Sequence, residues 1–275
     1  MMIRSVFAVL ALAGSATAVL AGCADETGPC EIAGGSYHIV LPKAEHPPVL
    51  VFLHGHGGEG AGPINNERLV APLQARGWAV IAPDGAIRPA GTGKRSWNFF
   101  PGWEGRDEAA FLNAVTEDAV ARFGLDQNRV VLGGFSAGAF MVNYLACATP
   151  DAYSAYVPVS GGFWRPQPEV CNGPVRLLHT HGWSDPVVPL EGRILGADRF
   201  QQGDIFAGLE IWRIANGCLD HKPDSYSLTG PFQRRAWTSC DPGGVIEFAL
   251  FPGGHMVPEG WADMMIDWYE ALGDP

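Results

Sequence analysis

The feature that most constrains the fold is a set of short runs in which hydrophobic residues follow one another without alternation: VLVFLH (49–54), WAVIAP (78–83), RVVLGG (129–134), AYVPVS (155–160), VRLLHT (175–180) and IEFALF (246–251). A strand with one wet face alternates apolar and polar residues, so continuous runs predict strands buried on both faces. Stretches with helical spacing lie between them, at 68–76, 108–123, 137–148, 205–216 and 261–272. Strand and helix take turns, which predicts a mostly parallel central sheet with helices on both faces. An additional pair of strands is expected near SYHIVLP (36–42). No repeat or linker-like tract interrupts the pattern, so residues 30–275 are expected to form a single domain with one large core.

In an open parallel sheet the ligand crevice lies beyond the carboxyl ends of the strands. HGHGG (54–58) follows the first run, Ser136 the third, the segment from His181 to Asp185 the fifth, and His255 the last, which predicts that all four share one edge. GFSAG (134–138) has the pattern of a strand turning sharply into a helix with the serine at the crest. The helix would aim its first amides at that point, with the Ala137 N–H placed to bind an oxyanion. A tight turn without chemistry is the competing reading.

A serine hydroxyl attacks only if an imidazole takes its proton and a carboxylate holds that imidazole. His255, in FPGGHMVPEGW (251–261), is the expected base, since His38, His46 and His221 fall away from the crevice. Asp185, in HTHGWSDPVVP (179–189), is the expected acid, in the order Ser, Asp, His. Asp84 is the runner-up, although an Asp-Gly pair is commonly just a turn. HGHGG is expected to supply a second oxyanion donor from the His56 amide, with Gly57 as the alternative. His54 and His181 are read as hydrogen-bonded supports beneath the crevice.

Eighteen basic residues against 29 acidic ones give a net charge of −11, which disfavours nucleic acid or an anionic membrane face as partner and points to a neutral ligand. Residues 1–22 have the character of an export signal. Its end, LAGC (20–23), matches a lipobox and makes Cys23 a candidate for lipidation and membrane anchoring. Ordinary cleavage after Ala18 or Ala24 is the alternative. Export permits disulfides, and nearness in sequence favours Cys147 with Cys171 and Cys218 with Cys240, leaving Cys30 unassigned. The segment 218–240 shows little periodicity and is expected to be irregular, braced by its crosslink. No cysteine spacing fits a zinc site.

As a set, GGSYHIVLP, VFLHGHGG, VIAPDG, SWN, GFSAGAFM, HTHGWSDPVVPLEGR, WRIANGC and FPGGHMVPEGW resemble the bacterial polyhydroxybutyrate-depolymerase and feruloyl-esterase-like family of secreted α/β-hydrolases, from about Cys30 to Trp261. The resemblance implies an α/β-hydrolase fold and a serine carboxylesterase using Ser136, Asp185 and His255. It implies no metal or organic cofactor, a small or oligomeric ester substrate and no obligate protein partner. GWEGRDEAAF departs from the family pattern and leaves the role of Asp107 open. Hydroxyalkanoate oligomers are the first substrate expected and feruloyl or acetyl carbohydrate esters the alternative; a peptidase, an acyltransferase or a non-catalytic envelope binding protein stands further back. No separate polymer-binding domain is expected after His255. Trp97, Trp103, Trp164, Trp183 and Trp261 lie near motif residues, either lining an aromatic cleft or packing in the core.

Overall fold

The computed structural model describes residues 21–87, 92–196 and 199–273; the proposed signal, apart from its last two residues, lies outside them. Each of the six apolar runs becomes a strand. The sheet contains β1 (Gly35–Val40), β2 (Val49–Leu53), β3 (Ala79–Pro83), β4 (Val130–Phe135), β5 (Ala155–Val159), β6 (Arg176–Gly182), β7 (Ser225–Thr229), β8 (Phe232–Trp237) and β9 (Val245–Phe251). Their spatial order is β7-β8-β9-β6-β5-β4-β2-β3-β1. Neighbours from β9 to β3 run parallel, whereas β1 and the β7–β8 hairpin pair antiparallel. Every residue of β2, β3 and β5 is buried, which is why those runs carry no polar alternation. Three short strands, Gly22–Cys23, Glu26–Thr27 and Cys30–Ile32, extend the sheet beyond and beside β1.

Helices α1 (Glu67–Ala75), α2 (Glu108–Phe123), α3 (Ala137–Ala148), α4 (Ile205–Ala215) and α5 (Trp261–Ala271) cover the two faces. Leu69, Leu73, Trp261 and Met265 of α1 and α5 pack in one apolar layer, and Phe111, Leu112, Phe140, Leu209 and Trp212 of α2, α3 and α4 in the other. Asp107 caps α2 by accepting the Ala110 amide at 3.0 Å, a structural role for the residue the motif comparison left open. The fold is thus that of an α/β-hydrolase.

β2 has β3 on one side and β4 on the other, so the winding direction reverses there. A crevice opens at such a switch point, beyond the carboxyl ends of the two strands. The start of helix α3 lies directly against the end of β2: a Cβ on Gly138 would come within 2.2 Å of the Leu53 carbonyl oxygen.

Disulfides join Cys147 to Cys171, Cys218 to Cys240 and Cys23 to Cys30. The third corrects the expected lipidation of Cys23, because a sulfur bonded to the Cys30 sulfur cannot also form a thioether. Residues 218–240 are also more regular than expected, since they hold the β7–β8 hairpin. Tyr226 and Leu228 alternate with serines there but face solvent, so no buried stripe marks the strand. Among the described residues no helix is long and apolar enough to cross a membrane.

Candidate active site

β4 ends at Phe135 and α3 starts at Ala137, leaving Ser136 at φ 56°, ψ −115°. A non-glycine residue held in such a backbone conformation costs roughly 1–3 kcal/mol and persists only where its surroundings hold it. Here the Ser136 amide donates to the Val159 carbonyl at 3.0 Å, and the Ser136 carbonyl accepts from Phe140 N–H at 3.0 Å. The serine stands at the positive end of α3, where the first amides have no partner within the helix. Ala137 carries the first of them.

The acid and the base are brought together by two loops stitched to each other. Trp183 N–H donates to the Phe251 carbonyl at 2.9 Å and Ser184 N–H to the Gly253 carbonyl at 3.0 Å, which ties the loop after β6 to the loop after β9. Asp185 is buried and uses both oxygens. Oδ1 accepts the Val187 and Val188 amides, each at 2.8 Å, and Oδ2 lies 2.8 Å from His255 Nδ1. Burial alone would raise the carboxyl, but the hydrogen bonds from His255, Val188 and Val187 outweigh it and hold the group below its ordinary value of 3.8. The ionised carboxylate accepts only, so His255 carries its proton on Nδ1 and keeps the Nε2 lone pair for another partner. The Phe135 ring packs on His255 at 4.6 Å between centroids, which couples the imidazole to the residue just before Ser136.

Two further imidazoles lie under this loop. His181 Nε2–H donates to the Val188 carbonyl at 2.8 Å and lies 3.7 Å from Asp185 Oδ2, while His179 Nε2–H donates to His181 Nδ1 at 3.1 Å. Burial pushes both below 6.5, His179 well below, so both are neutral and can donate and accept in series. His181 was legible as a support; His179 was not, although its i, i+2 spacing on one strand face was the available signal.

The loop after β2 lies over the serine: a Cβ on Gly55 would sit 3.4 Å from Ser136 Cβ. His54 anchors it from below, with Nδ1–H donating to the Gly55 carbonyl at 2.7 Å, Nε2 accepting the Gly85 amide at 2.9 Å and its own carbonyl accepting Trp97 Nε1–H at 2.8 Å. Burial keeps this imidazole neutral by lowering its pKa. Gly57 N–H donates to the Arg95 carbonyl at 2.8 Å, which engages the amide read as the alternative oxyanion donor. Asp84 is likewise committed, accepting the Gly60 amide and the Ser36 hydroxyl at 2.8 Å each; it orders the crevice wall and does not meet His255.

The tryptophans divide. Trp97 and Trp261 are core residues, the latter donating to Thr180 Oγ1 at 3.1 Å. Trp103 and Trp164 join Phe99, Phe100, Tyr144 and Phe200 in an aromatic cluster. It reaches Phe140, one turn along α3 from Ser136, at centroid distances of 5.3 Å from Phe99 and 5.9 Å from Trp164. Trp183 points into solvent. Among the described residues no group of three or more His, Cys, Asp or Glu is placed to hold a metal.

Comparison with known proteins gives the family and the fold. Residues 35–202 match the family described as phospholipase/carboxylesterase. Feruloyl esterase C of Emericella nidulans is 28% identical over 240 residues, spanning 83% of this chain and 78% of that protein. Poly(3-hydroxyalkanoate) depolymerase C of Paucimonas lemoignei is 25% identical over 135 residues, 46% of this chain and 30% of that one. The structure of acetyl xylan esterase from Aspergillus awamori superposes with a TM-score of 0.63 at 17% identity, covering 90% of this chain and 96% of that one, a likeness of fold.

Proposed function

Since the chain belongs to the phospholipase/carboxylesterase family and is a carboxylic ester hydrolase, we propose that Ser136, Asp185 and His255 are its catalytic triad and that it cleaves esters of aromatic acids. The observation that carries the reading is the hydrogen-bonded pair of buried Asp185 and partly buried His255 at the same sheet edge as a serine in a strained strand-to-helix turn. His255 Nε2 takes the Ser136 proton as Oγ attacks the ester carbonyl, and the His56 and Ala137 amides stabilise the oxyanion. The tetrahedral intermediate collapses when His255 protonates the leaving alcohol. Water, deprotonated by His255, then releases the acid from the acyl-enzyme.

The aromatic preference rests on the ring cluster that begins one helical turn from Ser136 and on the relative named feruloyl esterase C, matched over most of its length. The hydroxyalkanoate reading, first in the motif comparison, is supported by a relative matched over less than a third of its length. Comparing kcat/KM for methyl esters of hydroxycinnamic acids with that for 3-hydroxybutyrate dimers tests the choice. We expect the aromatic ester to be preferred, with the preference reduced in Trp164→Ala; faster cleavage of the hydroxybutyrate dimer would restore the other reading. Three disulfides suit an exported protein. Residues 1–22 act in this proposal as a cleaved signal, and those that follow form one catalytic unit.

A further inference from the structure

The sheet edge beside the acid loop carries an uncovered aromatic face. Trp183 is 66% exposed, Tyr226 62% and Leu228 77%, values that for side chains of this size mark a surface built to meet something. Residues paired directly across antiparallel strands share a face. Leu228 pairs with Gln233 and Gln233 with Leu250, while Tyr226 pairs with Arg235, so these side chains form one continuous strip. Trp183 joins it at the active-site end: it lines a hollow of about 240 Å³ with Gln233, Leu250 and Pro252. A second hollow, of about 470 Å³ between Tyr226, Leu228 and Arg235, shares Gln233 with the first.

We infer that this strip is a docking track for a neutral polysaccharide chain that carries the scissile ester, an inference that rests on the esterase reading of Ser136. Continuity is the first reason. Trp183 stands two residues before Asp185, and its backbone is pinned to the Phe251 carbonyl at 2.9 Å, so a chain presenting an ester at the crevice passes over an indole carried on a fixed backbone. With strands ~4.8 Å apart and ~3.4 Å per residue, the path from Leu250 to Leu228 and on to Tyr226 runs roughly 16 Å, long enough for several sugar residues.

The chemistry of the strip is the second reason. Flat Trp and Tyr faces stack on the C–H face of a sugar ring, and polar tips beside them meet its hydroxyls. Gln233 offers both donor and acceptor between the two aromatic ends, and the Arg235 guanidinium lies 5.8 Å from the Tyr226 ring centre. A polyester supplies only acceptors and would leave the acceptors of Gln233 and Tyr226 unmet. An acidic polymer is disfavoured by the net charge of −11, which the one guanidinium of the strip, Arg235, lying over the Tyr226 ring, does not offset.

Affinity electrophoresis of the full exported protein in gels containing soluble neutral arabinoxylan tests the track, with hydrolysis of a small nitrophenyl ester measured in parallel. Retardation is expected in the wild type. A Tyr226→Ala, Leu228→Ser double variant should bind roughly tenfold more weakly, as should Trp183→Ala, in line with loss of an aromatic platform. The double variant should keep its small-ester kcat/KM. Absence of retardation, unchanged retardation in the variants, or retention on polyhydroxybutyrate granules in place of the glycan would overturn the docking track while small-ester turnover persists. Failure of the wild type to cleave any small ester would instead remove the esterase premise.

Discussion

His255 and Asp185 are 70 positions apart in sequence and meet at 2.8 Å between Nδ1 and Oδ2. The other carboxylate oxygen is held by the Val187 and Val188 amides, so the carboxylate is fixed independently of the imidazole. This leaves Nε2 as the imidazole nitrogen not engaged by the carboxylate.

Replacing Asp185 by Asn should therefore leave the fold intact but reduce kcat by about 10⁴-fold, because the amide can favour the wrong tautomer. Asp84→Asn should keep turnover within a few-fold, since Asp84 holds Gly60 and Ser36 and not the base. Circular dichroism and steady-state kinetics on both variants check this; the opposite ranking would reassign the acid.

Burial lowers His54, His179 and His181 below 6.5 in the folded protein. Below pH 6.5 the unfolded chain takes up protons that the folded one refuses, so stability is present above that pH and declines as pH falls toward the folded values. Each such group contributes a slope of up to about 1.4 kcal/mol per pH unit. Denaturant melts between pH 7.5 and 5 should show a decline, made shallower in His179→Phe. An unchanged slope in that variant would mean that His179 is not held neutral by burial.

Gly138→Ala should be strongly destabilising, since its Cβ would meet the Leu53 carbonyl at 2.2 Å and backbone would have to move. Overpacking of this kind costs about 1–3 kcal/mol or more. A melting temperature equal to wild type would show that α3 can rise off β2 freely.

The central strands were legible because β2, β3 and β5 are buried at every position, and burial on both faces writes a continuous apolar run. The hairpin was not, because Tyr226 and Leu228 are exposed on an edge strand and its pattern resembles a polar loop. Ser136, Asp185 and His255 were locatable as residues following such runs. The reach from Asp185 through His181 to His179 was hidden, since a buried histidine on a strand looks like core. The Cys23–Cys30 bond was obscured by a four-residue motif that competes for the same sulfur.

Removing the Cys218–Cys240 bond with serines should lower stability by about 3 kcal/mol in the chain-entropy account, and β8, which pairs with β9, should loosen with it. Because β9 leads to His255, kcat should fall as the sample approaches its lowered melting temperature. A melting curve superimposable on wild type would show that the hairpin needs no brace.

The central claim is that Ser136 is the nucleophile, and a fluorophosphonate probe followed by peptide mass spectrometry tests it most directly. The account predicts a single adduct on the peptide containing Ser136, with Ser136→Ala abolishing labelling and lowering ester turnover by about 10⁴–10⁶-fold while the protein stays folded. Labelling at another serine, or near-normal hydrolysis by the folded Ser136→Ala variant, would contradict it.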